Sequence, residues 1–196
     1  MRLKICGVQS IEEAQKLTEL GVDFIGLNFV PESSRRIAMN TGKAVAARVR
    51  GLPIKVVALF QNQPLELVQN HVSEIKPDYV QLHGRETDDF IGDLKTPSIK
   101  SITGTEQVIP AHAKYYLLDR EKRGEGPVVD TKVVAKIVNQ YPGRVFLAGG
   151  LNPANLAEVL DKVKPFAVDI AGGARTDNVI DFDKVRKVLA IVRRQS

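Results

Sequence analysis

Short apolar runs recur along the chain, each followed by a stretch in which apolar positions return every three to four residues. The runs cover 3–6, 23–29, 55–60, 78–82, 98–102, 114–118, 144–147 and 166–170. Their length and their content of branched and aromatic residues predict strands, and the spaced stretches predict helices. The first helix lies between Ser10, a candidate N-cap with Glu13 at the capping-box position, and Gly21 just past its end. Further helices are expected at 41–50, 64–75, 87–94, 131–140, 153–162 and 182–194. Asn152 is the expected N-cap of the sixth of these seven, with Pro153 at its first position, and Asp181 that of the last. The segment 105–113 carries Pro110 and predicts a fifth crossover helix that is short or absent.

Eight strands in alternation with helices imply an α/β fold of parallel strands joined by crossovers. Runs such as 56–60 and 115–118 are apolar on both faces, as in strands covered from both sides. Eight units favour closure into a (β/α)8 TIM barrel. With 196 residues this would be a minimal barrel, since about 250 is usual for the fold. The rival, an open doubly wound sheet, would carry a G-x-G-x-x-G turn after its first strand, and none is present. No linker or low-complexity stretch divides the chain, so one domain over 1–196 is expected.

Composition narrows the function classes. The formal charge is +5, with basic residues spread along the chain and gathered in the last helix, and no zinc-finger, basic-zipper or aromatic RNA-binding pattern accompanies them. An anionic small substrate suits this charge better than nucleic acid. No run of 18 or more apolar residues predicts a membrane span, and no signal-peptide pattern opens the chain, so a cytoplasmic protein is expected. Cys6 is the sole cysteine, which leaves no intramolecular disulfide and no cysteine-based zinc site. His71, His83 and His112 share no metal-ligand spacing, and no metal is expected.

In such barrels the chemistry lies at the C-terminal ends of the strands. Those ends carry Cys6-Gly7, Asn28 with Ser33 and Arg35 beyond it, Gln81 with His83-Gly84, Asp119, Ala148-Gly149-Gly150, and Asp169 with Ala171-Gly172-Gly173. The two Ala-Gly-Gly turns are the best physical signal. Glycine lets backbone N–H groups approach an anion closely, a following helix N-terminus adds positive potential, and the last two loops of barrels often bind phosphate. Gly149, Gly150, Gly172 and Gly173 are therefore the candidate phosphate ligands, although tight turns alone would also use them. Asp119 ends an apolar strand and could serve as a proton donor or as a surface acid. Arg35 suits a substrate carboxylate by its forked guanidinium, or is a solvated loop arginine. Gln81, His83 and Asp169 are candidates for substrate contact, His83 alternatively being structural. Cys6 is either a catalytic group or a small buried apolar residue.

The strand ends together resemble phosphoribosylanthranilate isomerases over the whole chain. Lys4-Ile5-Cys6-Gly7 is similar to the family's opening K-I-C-G. Gly26, Phe29, Pro31, Ser33 and Arg35 resemble its G-x-x-F and P-x-S-x-R, and Val57 to Asn62 its third strand. Val80-Gln81-Leu82-His83-Gly84 with Glu86 resembles V-Q-L-H-G-x-E, Leu117-Leu118-Asp119 resembles L-L-D, and Phe146 to Asn155 the L-[AS]-G-G-L-x-P-x-N segment. The resemblance implies an Amadori rearrangement in tryptophan biosynthesis that needs no cofactor. It implies Cys6 as general base, Asp119 as general acid, Arg35 on the anthranilate carboxylate and the four glycines on the phosphate. A phosphorylated small molecule would be the partner, with the protein a monomer or homodimer.

Two places depart from the family pattern. After the eighth strand D-V-S-S-G-V-E is replaced by Asp169-Ile170-Ala171-Gly172-Gly173-Ala174-Arg175, which removes two hydroxyls and puts Arg175, a candidate helper for phosphate, in place of an acid. Beyond Asp119, Arg123, Glu125, Val129 and Thr131 stand where glycine, serine or threonine, phenylalanine and tryptophan are usual. Two rival functions follow. A histidine-pathway aminoaldose isomerase would use paired aspartates, whereas the first strand offers Cys6. A catalytically inert sugar-phosphate binder would bind ligand without converting it.

Overall fold

The computed structural model describes residues 1–104, 109–119 and 131–195. Eight parallel strands close on themselves in sequence order: β1 (Arg2–Cys6), β2 (Phe24–Asn28), β3 (Lys55–Phe60), β4 (Tyr79–Leu82), β5 (Ser98–Ile102), β6 (Tyr115–Leu118), β7 (Val145–Leu147) and β8 (Ala167–Ile170). Closure is made by β1 against β8, with Lys4 opposite Asp169. The helices are α1 (Ile11–Glu19), α2 (Met39–Val49), α3 (Leu65–Ile75), α4 (Asp88–Gly92), α5 (Thr131–Gln140), α6 (Leu156–Lys162) and α7 (Phe182–Arg194). Between β5 and β6 the described residues hold no helix, as the Pro110 segment predicts.

Local chemistry explains most boundaries. Ser10 Oγ accepts the Glu13 amide at 3.1 Å, and Glu13 reaches back to accept from the Gln9 amide at 2.7 Å, one residue before the cap itself. Asp181 caps α7 by accepting from the amides of Asp183 and Lys184. The sixth helix differs from expectation. The Asn152 side chain does accept from the amides of Ala154 and Asn155, but it caps only a turn, and α6 begins at Leu156. The reason is a second asparagine: Asn155 accepts from the Asn152 amide and donates to the Gly150 carbonyl, tying the turn back to the glycines.

The strand alternation divides the core in two. On β1, Leu3 and Ile5 join the apolar layer shared with the helices, whereas Lys4 and Cys6 face the barrel interior. The N-terminal end of that interior is filled by rings from even-numbered strands: Phe24, Tyr79, Tyr115 and, just before β8, Phe166, with Phe146 above them. Ring centroids lie 5.3 Å apart for Phe24–Phe146 and 4.8 Å for Tyr115–Phe166, and the Arg2 guanidinium lies 4.4 Å from the Phe166 centroid. This floor leaves the C-terminal end as the open mouth.

Candidate active site

A cavity of about 430 Å³ occupies the mouth. All ten candidate residues line it: Cys6, Arg35, Gln81, His83, Asp119 and Asp169, with the glycines at 149, 150, 172 and 173. The thiol from β1 and the carboxyl after β6 thus share one pocket, with the last two turns at its rim. Among the described residues no group of three or more His, Cys, Asp or Glu side chains gathers as metal ligands.

Arg35 is delivered by a loop that Asn28 and Ser33 organise. Asn28 donates to Ser33 Oγ at 2.9 Å and accepts from the Val30 amide, and Ser33 Oγ accepts from the Arg35 amide. Gly7 makes room for the arginine: it sits at φ +84°, and a Cβ there would lie 2.9 Å from Arg35 Cδ. Arg175 secures that turn from behind. Its guanidinium donates to the Gly7 carbonyl at 2.5 Å and to the Asn178 carbonyl at 2.7 Å, and it does not line the cavity. The expectation that Arg175 assists phosphate is therefore corrected: this charge is spent on two backbone carbonyls under the β1 loop.

On the opposite wall, His83 Nε2 lies 3.4 Å from Asp119 Oδ2. Gln81 is buried, and its Oε1 has no hydrogen-bond partner among the described residues. Asp169 is also buried; Oδ2 accepts from Lys4 Nζ at 2.7 Å and Oδ1 has no partner among the described residues. Both residues line the cavity, and each keeps one buried oxygen without a hydrogen-bond partner among the described residues.

The two glycine turns serve different physical needs. Gly149 and Gly150 adopt φ +92° and +63°, conformations that side chains disfavour. Gly172 and Gly173 lie in and around a 3₁₀ turn (Gly172–Ala174), and there the need is space. A Cβ on Gly173 would stand 2.0 Å from the Leu151 carbonyl oxygen, whereas one on Gly172 would meet nothing. Neither pair opens directly into an α-helix, so the expected helix-terminal potential gives way to turn amides alone. Gly173→Ala is expected to lower stability by about 1–3 kcal/mol by overpacking. Gly172→Ala should stay within about 0.5 kcal/mol of the parent. Thermal denaturation of the two variants side by side checks this contrast.

Sequence reading missed two buried lysines. Lys4 is fully buried beside Cys6, and although burial alone would drive its pKa down, Asp169 and the Cys6 sulfur hold it above the ordinary value. Burial pushes the Cys6 thiol up; Lys4 and Arg35 oppose that push and Asp169 adds to it. Lys100 on β5 pairs with Glu86 Oε2 at 2.9 Å and donates to the Gly84 carbonyl. Glu86 also accepts from the amides of Asn62 and Gly84, clamping the loops after β3 and β4 beneath His83. The available signal was a lysine at mid-strand beside buried aliphatic residues, Leu3 and Ile5 for Lys4 and Ile99 for Lys100, since a lysine is rarely buried unless paired. The loop 120–130, with Arg123, Glu125 and Val129, lies outside the described residues. Thr131 begins α5.

Comparison with known proteins points one way. A sequence model described as PRAI, N-(5'phosphoribosyl)anthranilate (PRA) isomerase, matches residues 3–190. The N-(5'-phosphoribosyl)anthranilate isomerase of Bacillus mycoides is 33% identical, with 96% of each chain covered. The crystal structure of the Thermus thermophilus phosphoribosyl anthranilate isomerase superposes with TM-score 0.83 at 30% identity over 100% of both chains. A Thermotoga maritima structure, described as monomers generated from a dimeric phosphoribosylanthranilate isomerase, gives 0.87 at 25% identity over 99% of both.

Proposed function

The chain belongs to the N-(5'-phosphoribosyl)anthranilate isomerase family, and on that premise we propose that Cys6 and Asp119 divide the acid–base work of its reaction. The enzyme catalyses the Amadori rearrangement of N-(5-phosphoribosyl)anthranilate to 1-(2-carboxyphenylamino)-1-deoxyribulose 5-phosphate in tryptophan biosynthesis. The observation that carries the residue assignment is the shared cavity, lined from one side by Cys6 and from another by Asp119.

Protonated Asp119 gives its proton to the ribose ring oxygen. The C1′–O bond breaks and the nitrogen lone pair forms a C1′=N Schiff base. The Cys6 thiolate then takes the C2′ proton; the C–H pair becomes a C1′=C2′ bond and the C=N pair returns to nitrogen. The resulting enolamine gains a proton at C1′ and loses one from the 2′-oxygen to become the ketone. Electrons balance within the substrate at each step, so proton transfers suffice and no cofactor is called on. Arg35 clamps the anthranilate carboxylate. Gln81, His83 and Asp169, which line the cavity, take the sugar hydroxyls. The amides of residues 149, 150, 172 and 173 take the phosphate.

The residues of this assignment are all drawn from one chain, which accords with either a monomer or a homodimer. A cytoplasmic location accords with a pathway enzyme of diffusible phosphorylated intermediates, and no helix among the described residues is long and apolar enough to cross a membrane. The test is a fluorescence assay following loss of phosphoribosylanthranilate. Purified protein should consume it and yield the ketose. Tight binding without conversion would return the inert-binder reading.

A further inference from the structure

Lys4 is an expensive residue for its position. It is wholly buried in the barrel, directly above an apolar ring cluster, where an aliphatic side chain would fill the space without desolvating a charge. The neighbouring strands are fitted to it. Asp169 stands opposite in the β1–β8 register and accepts its proton-bearing nitrogen at 2.7 Å. On the other side, β2 places Gly26 opposite Cys6, and a Cβ there would lie 2.9 Å from the Cys6 sulfur and 3.3 Å from Lys4 Nζ. The missing methyl is the space in which sulfur and ammonium face each other.

We propose that Lys4 is a positioning residue for the isomerisation, its ammonium, pinned by Asp169, serving as the counter-ion of the Cys6 thiolate. The proposal rests on the reading of Cys6 as the base. A thiol in a dry pocket resists ionisation, and a nearby fixed cation is the standard remedy. The charged groups that face Cys6 are Lys4 on its own strand, Asp169 on β8, Arg35 from the loop after β2 and Arg175 beneath Gly7; β2 itself contributes Gly26 and no titratable group. Lys4 is the strongest of the cations and its pull exceeds the push of Asp169. Asp169 in turn keeps Lys4 protonated. In the step that results, the thiol first releases its proton to solvent. The thiolate then takes the C2′ proton, and Lys4 neither gains nor loses one.

The sole cysteine makes the test direct, because iodoacetamide reports on Cys6 without background from other thiols. The alkylation rate is measured against pH for wild type, Lys4→Met and the double variant Lys4→Met/Asp169→Asn. The double variant leaves no unpaired buried charge and decides the matter where the single variant fails to fold. Both variants should move the curve upward by about one pH unit or more, slowing alkylation roughly tenfold near neutral pH. A folded Lys4 variant whose curve superposes on wild type, or shifts downward, overturns the proposal. Full turnover by Cys6→Ala would instead remove the base assignment and leave the alkylation curves as they are.

Discussion

Cys6→Ala and Asp119→Asn are each expected to lower kcat by about 10²–10⁴-fold, the range over which a positioned acid or base contributes. The two groups act on different atoms of one sugar. Losing the acid leaves the ring closed, and losing the base leaves the Schiff base without an exit. KM should change little, because Arg35 and the glycine turns carry the binding and both substitutions leave them in place. The fluorescence assay on both variants reads this directly. A variant that keeps wild-type kcat would remove that residue from the mechanism. A rise in KM with kcat unchanged would instead mark it as a binding group.

Lys100→Met should cost about 3–5 kcal/mol of folding stability, the usual penalty for stranding one partner of a buried ion pair. The substitution leaves the Glu86 carboxylate buried without its cation and deprives the Gly84 carbonyl of its donor. The pH dependence follows from the sign of the Glu86 shift. Burial raises its pKa, but the Asn62 amide and Lys100 outweigh burial and hold it below the ordinary value. A carboxylate depressed in the fold contributes stability above its unfolded pKa and loses it as pH falls through the folded one. The gap between wild type and Lys100→Met should therefore be widest near neutral pH and close as the solution becomes acid enough to protonate Glu86. Urea denaturation across that range measures it, and a gap independent of pH would mean that the lysine acts through packing alone.

The barrel was legible because its code is local. Each strand boundary falls within one residue of the apolar runs, and Ser10, Asp181 and Pro110 announce starts and a stop from within a single turn. The ten site candidates also share one cavity, because strand ends in a barrel converge whatever fills the loops. What escaped depends on partners distant in sequence. Lys4 reads as a lysine on a strand until Asp169, 165 residues away, comes to stand beside it. Glu86 reads as a motif letter until Lys100 and the Asn62 amide meet it. Arg175 looked free to help an anion, and only folding shows the Gly7 carbonyl claiming it. The delayed start of α6 is a subtler case. One asparagine signals a cap correctly, and a second, three residues on, turns that cap into a locked corner.

The ring cluster under the pocket has a kinetic corollary. Among the described residues the base is stoppered, so the reactant arrives and the ketose departs by the mouth. A departing molecule that lingers occupies the threshold itself, and inhibition by accumulated ketose should follow the purely competitive pattern.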